Sequence, residues 1–124
     1  MLSSNNVNAL GNILNTTFGK GGDGTISIGH SLQGNILTLR YTTIVHFASE
    51  QSMSHQVRSL AEESMDRLNN KIADIKKQFK DSTGHALKIS ELSNRDDIEM
   101  IQATSNSPRK IAYYRRYADL EIDA

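Results

Sequence analysis

The chain has no cysteine among its 124 residues. Disulfides, thiolate nucleophiles, cysteine-ligated zinc and iron–sulfur clusters are therefore excluded, and the redox compartment leaves no mark. Neither charge is in excess, since 14 Lys and Arg balance 14 Asp and Glu. General binding to nucleic acid or to an anionic membrane needs a basic surplus that is missing here. No stretch approaches the roughly 18 apolar residues of a membrane span. Residues 1–18 lack the basic start and unbroken apolar run of a secretory signal. The glycosylation sequon Asn15-Thr16-Thr17 is accordingly read as chance, and the expected location is the cytoplasm.

A chain of this length makes one ordinary domain and can bury a core without metal or disulfide help. Apolar residues Val7, Leu10, Ile13, Leu14 and Phe18 recur at helical spacing, with Ser4 or Asn5 as cap. Four glycines within Gly19 to Gly24 end that helix, because glycine is too permissive to hold one. Residues 1–24 thus read as an N-terminal helix or arm with a connector, and 25–124 as the α+β domain.

A hairpin is expected next. Ile26, Ile28 and Leu32 share one face, and Gln33-Gly34-Asn35 signals a tight turn. Residues 35–47 read as a long strand with Leu37, Leu39, Tyr41, Thr43, Val45 and Phe47 on one side. The opposite side mixes apolar and polar groups, which fits partial cover by a partner.

Ser49 and Glu50 open a helix that runs without glycine or proline over 50–81, with Gly84 at its exit. Its apolar stripe is Met53, Val57, Ala61, Met65, Leu68, Ile72, Ile75 and Phe79. At a rise of about 1.5 Å per residue it spans roughly 48 Å. Short strands of roughly 15–20 Å would leave its ends overhanging, and that overhang makes the stripe a candidate for self-association.

Two short strands follow, 85–92 and 97–104, with the cluster Asn94, Asp96, Asp97 and Glu99 read as a solvated turn between them, in a stretch, 91–99, that is rich in acid with Glu91 included. Residues 109–122 carry helix-start signals at Ser107-Pro108 but a strand composition beyond them, and strand is preferred with helix as the alternative. Helices and strands are segregated. The expected fold is α+β: an antiparallel or mixed sheet of about five strands packed on one long amphipathic helix.

Motifs for chemistry are few. The four histidines, His30, His46, His55 and His85, lack local metal-ligand spacing, although His30 and His46 lie on strands that could pair. The glycine segment matches neither phosphate-binding pattern. The acids at 91–99 do not match a calcium loop. No serine sits in a nucleophile turn. No enzyme, cofactor or metal site is expected.

The distinctive stretch is Arg109, Lys110, Tyr113, Tyr114, Arg115, Arg116 and Tyr117. Interleaved arginine and tyrosine suit a packed strand, a protein interface, or single-stranded nucleic acid, where Arg meets phosphate and Tyr stacks on bases. Residues 1–6 (MLSSNN), 43–51 (TIVHFASEQ) and 106–116 (NSPRKIAYYRR) together resemble small uncharacterised proteins of marine tailed bacteriophages. That resemblance implies a viral protein made in a host cytoplasm, part of a particle or of its assembly, and it brings no catalytic residues. The leading expectation is a non-enzymatic, self-associating structural or protein-interaction module, with homo-oligomer as the expected state and no membrane partner. The alternative is a single-stranded nucleic-acid-binding protein using 109–117.

Overall fold

A computed structural model describes residues 4–18, 26–102 and 110–123. The elements run α1 (Ser4–Phe18), β1 (Ile26–Gln33), β2 (Ile36–Phe47), α2 (Glu50–Thr83), β3 (Lys88–Gln102) and β4 (Lys110–Asp123). The four strands form one sheet in the order β1-β2-β4-β3, and every neighbouring pair is antiparallel. The fold is α+β, with both helices contributing to one core on a single face of the sheet.

Local chemistry sets the ends of α2. Ser49 is extended, and its side chain accepts from the Ser52 amide at 3.1 Å. That satisfies one of the amides a helix start leaves open. At the other end Gly84 takes a left-handed conformation, φ 76°, and its amide returns to the Lys80 carbonyl at 2.8 Å. Glu63 and Arg67 meet at 3.3 Å on the solvent side, worth a few tenths of a kcal/mol. The β1–β2 turn places Gly34 at φ 62°, where an L side chain would be strained.

The core follows the alternation of β2. Leu37, Leu39, Tyr41, Val45 and Phe47 are buried, and β4 adds Ala112, Tyr114, Ala118, Leu120 and Ile122. From α2 come Leu68, Ile75 and Phe79. Leu10, Ile13 and Leu14 of α1 join the same cluster. α1 rests on α2 and β1, and Gln78 donates to Thr17 at 3.1 Å. The hydrophobic effect over this face is what holds α1, whose sequence carries no charge to favour either helix end.

Among the described residues four strands stand where about five were expected. The segments 85–92 and 97–104 are not separated by a turn. They merge into β3, 15 residues long, with register irregularities between Glu91 and Ser93 and between Met100 and Gln102. The physical reason lies on β4. Asp96, Asp97 and Glu99 of the supposed turn face Arg116, Arg115 and Tyr113 across the ladder, so they extend beside a partner instead of turning into solvent. The part of that expectation beyond Gln102 lies outside the described residues.

That merger also removes the overhang of α2. β2, β4 and β3 have 12, 14 and 15 residues, or about 40–50 Å at a strand rise of about 3.3 Å. α2 has 34 residues, or about 51 Å. Helix and sheet match. Phe79 is fully buried and Met53 packs against the core.

Candidate protein-interaction surface

β4 lies between β2 and β3, so its arginines and tyrosines have neighbours on both sides. Even-numbered residues from Ala112 point to the helices. Tyr114 is fully buried there, and its hydroxyl donates to Asp96 at 3.1 Å. Arg116 meets the same carboxylate at 3.4 Å. Burial pushes the Tyr114 hydroxyl above its usual value.

Odd-numbered residues face the open side of the sheet. Arg115 binds Glu99 at 2.7 Å and Asp97 at 3.5 Å. The hydrogen bond to Glu99 raises the Arg115 guanidinium still further above its ordinary value. Arg115 also lies 5.3 Å from the centroid of the Tyr113 ring. Arg95 of β3 sits over Tyr117 at 4.2 Å, within cation–π range. The Tyr117 hydroxyl donates to Asp97 at 3.4 Å.

Asp119 completes this face. It accepts from Ser93 of β3 at 2.5 Å and from Thr38 of β2 at 2.9 Å, and Arg95 approaches at 3.6 Å. One carboxylate thus joins three strands. The Ser93 hydroxyl is the main cause that holds it below the usual carboxylate value, aided by Thr38 and Arg95 and opposed by partial burial.

The segment singled out in the sequence is therefore spent largely inside the sheet. Tyr114 is core, Arg115 and Arg116 are ion-paired, and Tyr113 and Tyr117 are half-buried. Lys110 is exposed at the start of β4. Arg109 lies outside the described residues. The helix stripe is spent in the same way. Leu68, Ile75 and Phe79 are fully buried, and Met53, Val57 and Ile72 pack against the core. Ala61 and Met65 instead line, with Glu62 and Asp66, an open concavity of about 450 Å³ along α2.

What stays exposed is concentrated elsewhere. Four of the six exposed large apolar side chains among the described residues are Leu92, Ile98, Met100 and Ile101. All four lie on β3, an edge strand. α2 covers β2 and β4 and leaves β3 largely bare. Ile98 and Met100 pair with Tyr114 and Ala112, which puts them on the helix side of the sheet but past the helix. The sequence signal for these residues was present as alternation over 97–104. Their position on a free edge was not visible, because strand order is a long-range property.

His30 and His46 do not converge. His30 aligns with Leu39 and His46 with Ile111, at different levels of the sheet. His55 and His85 are exposed on α2 and in the loop after it. Among the described residues no group of three His, Cys, Asp or Glu could hold a metal ion. No described helix is long and apolar enough to cross a membrane. No family model matches the sequence, and neither does any curated protein or any solved structure.

Proposed function

We propose that the chain is a non-enzymatic, self-associating structural or protein-interaction module. The observation that supports this best is the apolar set on β3. A long edge strand with exposed backbone and four exposed apolar side chains is a template for pairing. Natural edges are usually guarded by charges, by brevity or by cover. The other edge, β1, has eight residues and α1 beside it. On β3 the acids Asp96, Asp97 and Glu99 are engaged by Arg115 and Arg116 of β4, although they stay partly exposed.

Zero formal net charge removes repulsion between copies. Closed symmetric homo-oligomers are the commonest assemblies of soluble chains. A second copy is therefore the partner this surface suits. Such a module fits a phage-encoded component of a particle or of its assembly, in the host cytoplasm or the virion, the setting implied by the resemblance noted above.

The alternative, single-stranded nucleic-acid binding by 109–117, has less in its favour. Arg115 and Arg116 already sit against carboxylates, and phosphates would have to displace them. Light scattering on a sizing column at tens of micromolar tests the leading reading. A mass of two or more chains is expected, and a strict monomer rejects it.

A further inference from the structure

Helix α2 carries a second stripe besides the one it presents to the core. Glu62, Asp66, Asn69, Ala73, Lys76 and Lys80 recur at spacings of four and three, which keeps side chains in one line along a helix of about 3.6 residues per turn. All six are exposed. Glu63–Arg67 and Lys77–Asp81 form ion pairs on the adjoining line, and the four charges of this stripe hold no partner among the described residues. Glu62 and Asp66 are like charges one turn apart, and so are Lys76 and Lys80. Each pair disfavours the isolated helix. The stripe is thus acidic at one end and basic at the other, with Asn69 and Ala73 uncharged between.

We propose that two copies pair through this stripe, with their α2 helices side by side and antiparallel about a two-fold axis level with residue 71. This rests on the self-association reading above and names the surface it uses. Lys71 itself lies on the far side of each helix, about 200° of rotation from Asn69 and from Ala73.

The charges select the register. In a symmetric antiparallel pair every contact occurs twice, and moving one contact moves all the others. Setting Glu62 against the partner's Lys80 also sets Asp66 against the partner's Lys76 and Asn69 against the partner's Ala73. All four charges of each copy are then matched. Setting Glu62 against the partner's Lys76 instead turns Asp66 to the partner's Ile72 and brings Lys80 to the partner's Arg58, a like charge. Setting Asp66 against the partner's Lys80 leaves Glu62 level with the partner's Gly84, past the end of the helix. No other antiparallel register brings an acid of this stripe to one of its lysines, and a parallel pair sets each charge against its own copy.

Apolar groups lie beside these charges. Ala61 and Met65 line an open concavity of about 450 Å³ with Glu62 and Asp66. Asn94 of β3 donates to Met65 at 2.6 Å, so this flank of α2 adjoins β3. The opposite flank meets α1, where Gln78 donates to Thr17. A partner helix on the stripe therefore closes over the concavity and over the helix side of β3, where Ile98 and Met100 are exposed. Ala73, with a single methyl group, allows the two backbones to approach closely near the axis.

Two double variants of identical composition test the register, by light scattering on the full chain across a concentration series. Glu62→Lys with Lys80→Glu reverses the 62–80 contact and keeps it attractive. Glu62→Lys with Lys76→Glu makes both charged contacts repulsive at the same net charge. The first should associate as the wild type does. The second should associate at least tenfold more weakly, with a thermal melt that shows it folded. Equal association of the two variants overturns the proposal.

The absence of cysteine allows a geometric readout as well. Asn69→Cys and Ala73→Cys are oxidised mildly, each alone and as an equimolar mixture, and covalent dimer is read on a non-reducing gel. The mixture should cross-link several-fold more than either variant alone. A maximum for one variant alone, or a flat profile, overturns the proposal. The two readings fail differently. A monomeric wild-type chain removes self-association itself. A stable wild-type oligomer whose mass is the same in both charge variants removes only the helix pairing.

Discussion

The Tyr114 hydroxyl donates to Asp96 across the β3–β4 ladder, linking a fully buried core residue to the middle of the most acidic run in the chain. Arg116 closes on the same carboxylate oxygen. These contacts explain why residues 91–99 stay extended, and they bear on stability in ways that measurement can separate.

Tyr114→Phe and Tyr41→Phe should differ in sign or size although both tyrosines are fully buried. The first removes the hydroxyl's hydrogen bond to Asp96 and leaves that carboxylate to Arg116 alone, and a loss of about 1–2 kcal/mol is expected. The Tyr41 hydroxyl is buried with no hydrogen-bond partner among the described residues, so its removal should be neutral or stabilising. Urea unfolding monitored by circular dichroism gives both values. Equal losses would contradict the contrast.

Alkaline pH should destabilise the fold through Tyr114. Its folded-state value lies above the ordinary tyrosine value because of burial. The stabilising contribution is full below the unfolded value and is lost as pH rises through the folded one. Ultraviolet titration of tyrosinate in the wild type and in Tyr114→Phe should show one late-ionising tyrosine fewer in the variant. Tyr114→Phe should flatten the loss of stability above about pH 10.

Asp119→Ala should cost about 1–3 kcal/mol, because it leaves Thr38, Ser93 and Arg95 without their shared acceptor. The carboxyl is held below the ordinary carboxylate value, chiefly by the Ser93 hydroxyl. Its contribution is present above the unfolded value and fades as pH falls through the folded one. Acid unfolding curves of wild type and Asp119→Asn should therefore converge below that range and separate above it.

The helix α1 offers a pair of opposite outcomes one residue apart. Leu10 is fully buried, and Leu10→Ala should cost about 2–5 kcal/mol. Gly11 lies mid-helix, and a Cβ there meets nothing within 4 Å. Gly11→Ala should stabilise by about 0.5–1 kcal/mol. Thermal melts of the two variants check both, and a destabilised Gly11→Ala would contradict the placement of α1.

A fluorescently labelled single-stranded oligonucleotide should show no salt-sensitive binding to the wild-type chain at micromolar concentration. Arg115→Ala with Arg116→Ala should lower the melting temperature without changing anisotropy. Micromolar binding that falls steeply with salt and vanishes in the double variant would favour the nucleic-acid reading instead.

Much of the fold was legible because it depends on local chemistry. Ser49 and Gly84 bound α2 at the expected places, since a cap side chain and a left-handed glycine act within a few residues. Strict alternation in β2 named its buried face from Leu37 to Phe47 correctly, because side chains alternate with period two. The turn at Gln33 to Asn35 was marked by its glycine. The acidic run misled, because acids between two apolar patches look like a turn until their arginines are beside them.

The candidate surface was legible in kind and misplaced in position. Arg115, Arg116, Tyr113 and Tyr117 stood out by composition, which cannot reveal that β4 is an inner strand with acids along one flank. Ile98 and Met100 looked like ordinary strand residues. Only the order β1-β2-β4-β3 puts them on an edge strand, which α2 meets at Asn94 through Met65.

The sequence by itself determined the two helices, the β1–β2 hairpin and which face of β2 is apolar. Those properties come from backbone sterics, capping and periodicity over a few residues. Tertiary structure decided that two expected strands are one, that α2 matches its sheet in length, and that the arginines of β4 are neutralised while β3 is left bare. These outcomes depend on pairing between residues far apart in the chain, such as Thr38 and Asp119, 81 positions apart. The free energy of such contacts depends on which strands become neighbours, and no local pattern encodes that.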